Sequence, residues 1–261
     1  MKNIIKCPIC DNELTPNDTN FTCNRKHSFD KSKTGYINLS KHSLKDQGDN
    51  NELVLSRNAF LSNNYYHELK LLLNSIINKY KHNNILDLAC GTGYYTNSYD
   101  LNSNTYGIDL SKKAITLASK KSNNQFIIGS IFDLPFFDNS FDVISLIFAP
   151  RPIDEIYRTL KLNAVFIEVT PNVNHLIELK KALYDNVILN DVHTLHDCRF
   201  KLVYNCTCEF KMNLDNEMVK HLFNMTPYKY KTSVNSISKL DNIDQLDVTA
   251  DFIINVYKKI I

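Results

Sequence analysis

Two groups of residues in this chain have the types and spacing to do chemistry. The first is Cys7, Cys10, Cys23 and His27, in the pattern C-x2-C-x12-C-x3-H. Zinc takes soft or borderline ligands in a tetrahedron, and three thiolates with one imidazole fill it. No position is left for a substrate, so the expected ion is structural, one per chain. CPIC and TCNRKH each form a tight turn, and the 12 residues between them carry the turn sequence Thr15-Pro16-Asn17-Asp18. A module this small has little core, so the metal would supply much of its folding energy. Chance clustering and a redox CxxC are the alternatives, but no strand-helix pattern of the thioredoxin kind surrounds the pair.

The second group lies in ILDLACGTGYYT, residues 85–96. Gly91-Thr92-Gly93 is a turn at which backbone can approach a ligand closely. Asp109 lies 18 residues past Gly91, at the end of the run TYGID. An acid there suits a ribose diol. A dinucleotide fingerprint would need a third glycine, where this chain has Thr96, and Asp87 inside the strand fits poorly with a pyrophosphate. The form DxxCGxG, with Asp87, Ala89, Gly91 and Gly93, resembles motif I of the class I S-adenosylmethionine-dependent methyltransferases. There the acid serves the cofactor's amino end. FIIGSIFDLPF (126–136) resembles the strand beside the adenine. Ser130 stands where many relatives have an acid, which leaves the backbone at Ser130–Ile131 to meet the adenine. FDVISLIFAP (141–150) resembles the strand whose end faces the methyl group. A Gly-Gly turn common before the next strand is absent; in LKLNAVF only Asn163 tolerates a left-handed backbone.

These residues need elements to hold them. Tyr65, Leu69, Leu72, Leu73, Ile76, Ile77 and Tyr80 recur at the helical period and predict an amphipathic helix over 64–80. Ile85 to Ala89 reads as a buried parallel strand, and Ser111 is placed to cap the next helix. Ile153, Ile156, Tyr157 and Leu160 mark a helix, and Ala164 to Thr170 a fifth strand. In 200–212, Leu202, Tyr204, Cys206, Cys208, Phe210 and Met212 alternate onto one face, which assigns both cysteines to sheet packing. Residues 248–257 are the last strand, in an antiparallel pair with it. The expected fold is α/β: a class I methyltransferase Rossmann-like seven-stranded sheet preceded by a small zinc-binding module. The expected divisions are 1–45 for the zinc module, 46–82 for linker helices and 83–261 for the methyltransferase domain.

Composition narrows the partners. The chain has 261 residues, 43% of them hydrophobic, and a net charge of +2, so it is no basic clamp overall and any electrostatic footprint is local. Arg25, Lys26, Lys31, Lys33, Lys41 and Lys45 face only Asp30, with Phe29 and Tyr36 interleaved. Two readings stand. One is a loop for a phosphate backbone and stacked bases; the other is a solvated surface over two packed aromatics. Seven cysteines, an odd number, argue against a disulfide framework. No apolar run approaches the roughly 18 residues of a membrane helix, and MKNIIKCPIC lacks a long apolar segment. The expected compartment is cytoplasmic.

With both motifs placed, the chain resembles, from end to end, the 23S ribosomal RNA (guanine-N1)-methyltransferases of the RlmA type. CPIC…C-x3-H-SFD and TGYINL resemble that family's zinc module, and GD-x-x-E-L-x-x-x-R-x-A-F-L (48–61) its linker helix. HLIELKKALYDNV (175–187) and MTPY (225–228) resemble its late segments. The resemblance implies zinc on Cys7, Cys10, Cys23 and His27, and S-adenosylmethionine held by Tyr66, the Gly91–Thr92 turn and His175. Read alone, Tyr66 could be core and His175 a helix cap. The implied substrate is N1 of a guanine in a hairpin loop of 23S rRNA. RNAFL, IFAP and HLIELK look more like the form named for guanine 745. A homodimer is a further expected assembly. Removing the N1 proton calls for a base; Asp154 and Glu168 are the acids near the strand-four exit, with Arg151 for a phosphate and Phe148-Ala149-Pro150 as a wall for a flat base. A methyltransferase of a small molecule or protein, and a non-catalytic RNA-binding protein, are the alternatives.

Overall fold

The computed structural model describes residues 3–41 and 50–261. Lys45 and the Gly48–Asp49 start of the linker motif lie outside them.

Near the start, β1 (Thr15–Pro16), β2 (Asn20–Thr22) and β3 (Ser28–Asp30) form a small antiparallel sheet. Then β4 (Ile37–Asn38) leaves that sheet and joins the main one. Two helices follow, α1 (Asn51–Ser62) and α2 (His67–Ile77). Asn50 caps α1 by accepting the Leu53 N–H at 2.8 Å. Asn64, at φ 62, breaks the chain between the two helices. The helix expected over 64–80 is thus shorter, because Tyr65 and Tyr66 belong to this break; Leu69, Leu73, Ile76 and Ile77 are its buried stripe.

The main sheet holds β5 (Asn84–Leu88), β6 (Asn104–Asp109), β7 (Gln125–Ile128), β8 (Phe141–Ile147), β9 (Leu160–Pro171), β10 (Phe200–Asp215) and β11 (Gln245–Lys259). Its order is β10-β11-β9-β8-β5-β6-β7-β4. The seven expected strands are present, and β4 adds an eighth by pairing parallel to β7 (Ile37 with Ile127, Asn38 with Ile128). Central β5 and β8 are buried nearly throughout, as strands covered on both faces must be. Helices α3 (Lys112–Ser119), α4 (Ile153–Thr159), α5 (Ile177–Leu183) and α6 (Asn216–Asn224) complete the layers. Ser111 caps α3 as expected, accepting from Ala114 N at 3.3 Å.

Two local features follow from single residues. Residues 161–164 bulge from the β8–β9 pairing, and Asn163 makes the bulge at φ 66. The missing Gly-Gly turn is thereby replaced by a residue that tolerates the left-handed region. In β10 the alternation buries Cys208 and Met212, but an irregularity between Leu202 and Tyr204 releases Leu202 to solvent.

The core is continuous across the module. Ile5, Cys7, Leu14, Phe21, Cys23, Ile37 and Leu39 share one buried cluster with Leu86, Leu88, Ile108 and Ile127 of the sheet. Phe29 packs half-buried on this cluster, and Tyr36 on a neighbouring one. Of the two readings of the basic loop, the packed-aromatic one holds for these two rings.

Candidate cofactor pocket and zinc site

The two cysteine turns bring Cys7, Cys10, Cys23 and His27 together, with ligand atoms all within 4.8 Å of one another. Each turn closes on itself: Asp11 N donates to Cys7 O at 2.9 Å, and Lys26 N to Cys23 O at 2.9 Å, with Asp11 and Lys26 at positive φ. A tetrahedron with Zn–S bonds of about 2.3 Å has S···S edges of about 3.8 Å and slightly shorter S···N edges. The Cys10–Cys23 sulfur separation is 3.7 Å, and His27 Nδ1 lies 3.5 Å from both Cys7 and Cys23 Sγ. The four donors therefore fit a zinc ion, and His27 would bind through Nδ1. The Cys10 thiol is held down to about 6, chiefly by the Asn12 backbone N–H, which favours the thiolate a metal needs.

The second site lies where strand order reverses, between β5 and β8, at the carboxyl ends of the strands. Leu88 pairs with Ile108 on one side and Leu146 on the other, so the next residues of β5, β6 and β8 emerge at one level. After β5 the chain turns sharply: Ala89 (φ 52), Gly91 (φ 53) and Gly93 (φ 72) are all left-handed. At Gly93 a Cβ would stand 2.8 Å from Ala118 Cβ, so glycine also permits the packing of α3 there. Thr92 is buried. Asp109 ends β6 and fixes the turn, accepting from Gly91 N at 2.9 Å and Ser111 N at 2.7 Å. Beside it, Gly129 N donates to Asp109 O at 3.1 Å, which brings Ser130 and Ile131 to the same rim.

Asp87, near the end of β5, is buried beside this turn. Its side chain is buried and accepts from Thr96 Oγ1 at 2.5 Å and Ser145 Oγ at 2.9 Å. Burial raises its pKa to about 6, against the opposing pull of the two hydroxyls. Through these two bonds Asp87 braces the turn and ties it to β8.

Tyr66 and His175, distant in sequence, meet in one aromatic cluster. Ring centroids of Tyr66 and Phe252 are 5.0 Å apart, His175 and Phe252 4.6 Å, and Tyr66 and His175 6.4 Å. Phe148 joins them at 6.3 Å from Tyr66 and stacks on His175. It follows β8 directly, at φ 56, and remains 42% exposed at the rim. Such a backbone in a non-glycine residue is strained, and strain of this kind concentrates at functional sites. His175 Nδ1 accepts from Asp251 N at 3.2 Å, which leaves the ring proton on Nε2. Burial lowers the His175 pKa to about 3, so the ring is a neutral donor.

The two acids named as bases are both engaged elsewhere. Glu168 is buried and receives Arg151 at both oxygens, Nε and Nη2 each at 2.7 Å. A two-point ion pair of this kind is a structural element. It occupies the base and the proposed phosphate ligand with each other. Asp154 has an 86% exposed side chain and pairs with Arg199 at 2.9 Å. One residue that spacing alone misses is Arg57 of α1, whose Nη1 would lie 3.8 Å from a Cβ at Gly91. The linker motif R-x-A-F-L contains it; only the fold shows that α1 delivers its guanidinium to the turn.

Residues 5–43 match the family described as RlmA, N-terminal, and residues 86–167 match that described as a methyltransferase domain. The chain is 27% identical to YxjB of Bacillus subtilis, over 95% of both chains; that protein is provisionally described as a 23S rRNA (guanine-N(1)-)-methyltransferase. It is 28% identical to the 23S rRNA (guanine(748)-N(1))-methyltransferase of Streptomyces fradiae, over 70% of this chain and 69% of that one. Among solved structures, the YcgJ protein of Bacillus subtilis aligns over 76% of this chain and all of its own, with 16% identity and a TM-score of 0.49.

Proposed function

On the premise that this chain is a methyltransferase of the RlmA type, dependent on S-adenosylmethionine, we propose that it methylates N1 of a guanine in a hairpin loop of 23S rRNA. The observation that carries this reading is the joining of a four-ligand zinc module to a methyltransferase pocket, in an order shared over nearly the whole length of a relative described for that reaction. RNAFL, IFAP and HLIELK favour the 745 form, with guanine 748 as the competing position. A basic zinc module would have no evident role in a small-molecule enzyme. The intact turn and its Asp109 speak against a protein that has lost the cofactor.

S-Adenosylmethionine supplies an electrophilic methyl group on a sulfonium. The residues fit it: Asp109 would take the ribose hydroxyls, the Ser130–Ile131 backbone the adenine, and the 89–93 turn would lie along its body. His175 Nε2–H and the Arg57 guanidinium are donors suited to the carboxylate. Methyl transfer then needs in-line positioning and a dry site. Tyr66 and Phe252 are buried behind Phe148, whose partly exposed ring offers a face for a base to stack on. Guanine N1 lies on the pairing edge, so the base must be unpaired or flipped to reach it. Glu168 and Asp154 are the acids considered for the N1 base, and each is ion-paired, to Arg151 and Arg199.

The test compares N1-methylguanine in 23S rRNA from cells with and without the gene. Loss of the modification at one guanine on deletion supports the reading. An unchanged rRNA modification pattern contradicts it.

A further inference from the structure

Helix α3 and the zinc module meet through contacts flanked on both sides by lysines. Thr34 Oγ1 lies 2.7 Å from Ser119 Oγ. Tyr36 packs on the cluster that contains Ile115 and Ala118 of α3. Lys33 is next to Thr34 and Lys120 is next to Ser119, and both lysines are exposed. The remaining lysines of this segment, Lys112, Lys113 and Lys121, are exposed as well. Lys113 and Lys120 are two helical turns apart and share a face. Residues 110–132 contain no acid. The row begins directly after Ser111, the cap residue that Asp109 holds, and therefore reaches the rim of the cofactor pocket.

Some cations elsewhere on the surface are matched by acids. Lys161 pairs with Asp142 at 2.7 Å, Lys220 with Asp241 at 2.7 Å and Lys239 with Asp185 at 3.2 Å. Among the described residues, Lys33, Lys112, Lys113 and Lys120 have no such acid. Like charges held together repel and cost folding free energy, and a polyanion removes that cost by binding. The row spans roughly 12 Å, from Lys112 to Lys120 at 1.5 Å per residue, between the zinc module and the pocket.

We propose that α3 is a phosphate track that leads the RNA strand from the zinc module to the cofactor pocket. Lys33, Lys120 and Lys121 form its outer end, and Lys112 and Lys113 its inner end. The proposal rests on the RNA substrate proposed above.

The test uses the full-length protein and a transcript of the 23S hairpin. The variant Lys113→Gln/Lys120→Gln/Lys121→Gln is compared with wild type in RNA affinity over a salt series. A control variant, Lys181→Gln/Lys201→Gln/Lys211→Gln, removes three exposed lysines from α5 and β10. At about 0.7 per phosphate contact, the α3 variant should lower the slope of log affinity against log salt by about 2. Its RNA affinity should fall at least about tenfold at 0.1 M salt, with donor affinity unchanged and the control variant near wild type. Wild-type affinity and slope in the α3 variant would overturn the proposal, as would an equal loss in the control. So would tight wild-type binding to phosphatidylserine vesicles that the α3 variant loses together with RNA, because the track would then serve any anionic surface. If the wild-type protein binds no RNA at all, the functional reading falls; if it binds and methylates RNA and the α3 variant binds as well, only the track falls.

Discussion

His175 shows how a single side chain is set by its surroundings. Its Nδ1 is tied to the Asp251 peptide, its ring is packed among Tyr66, Phe148 and Phe252, and its pKa is lowered from 6.5 to about 3 by burial. Between those values the unfolded chain binds a proton that the folded chain refuses, so this residue makes stability fall as pH drops below 6.5. Asp87 acts in the opposite sense. Its folded pKa of about 6 lies above the ordinary 3.8, so the folded chain takes up a proton first, and this term raises stability as pH falls from 6 to 3.8. Replacing His175 with Gln should therefore shrink the drop in melting temperature between pH 7 and pH 5. An undiminished drop would mean that His175 is not held neutral by burial. At Asp109 the expectation concerns binding. Asp109→Ala removes the acceptor for Gly91 N–H and the acceptor proposed for the ribose, and should cost about 1–3 kcal/mol of donor affinity, the scale of unpaired polar groups. Calorimetry checks this, and wild-type affinity would place the donor elsewhere.

At the scale of elements, what the sequence made legible was local. The two cysteine turns of the zinc site, the left-handed turn, the Ser111 cap and the Asn163 bulge each depend on residues close in sequence, and the structure has all of them. What stayed hidden depends on distant partners. Nothing in Ile37-Asn38 announces that it will pair with β7, and nothing near Glu168 announces the two-point grip of Arg151. The delivery of Arg57 to Gly91 by α1 is likewise a tertiary fact. The pairing of β4 with β7 and the shared core have an energetic consequence: the metal supports more than its own module. Cys23→Ser should lose the zinc by elemental analysis and lower the melting temperature of the whole chain in one transition. The expected shift is on the order of 10 °C, several kcal/mol at this chain length. Two separate transitions, with the upper one at the wild-type temperature, would show that module and sheet are energetically independent.

For the whole molecule, the layout separates an edge of the sheet from its centre. The zinc module and α3 carry exposed lysines at one edge of the sheet, while the reversal of strand order at β5 and β8 places the turn, Asp109 and the aromatic cluster at its centre. Among the described residues no helix is long and apolar enough to cross a membrane. The ring of Phe148, directly after β8, is partly exposed beside the aromatic cluster. The most direct measurement incubates the purified chain with methyl-labelled S-adenosylmethionine and the 23S hairpin transcript, digests the RNA to nucleosides and locates the label. The account predicts label in N1-methylguanine at a single position, and none there when that guanine is replaced by adenine. Label in another nucleoside, or no label in RNA from a protein that binds the donor, would contradict it.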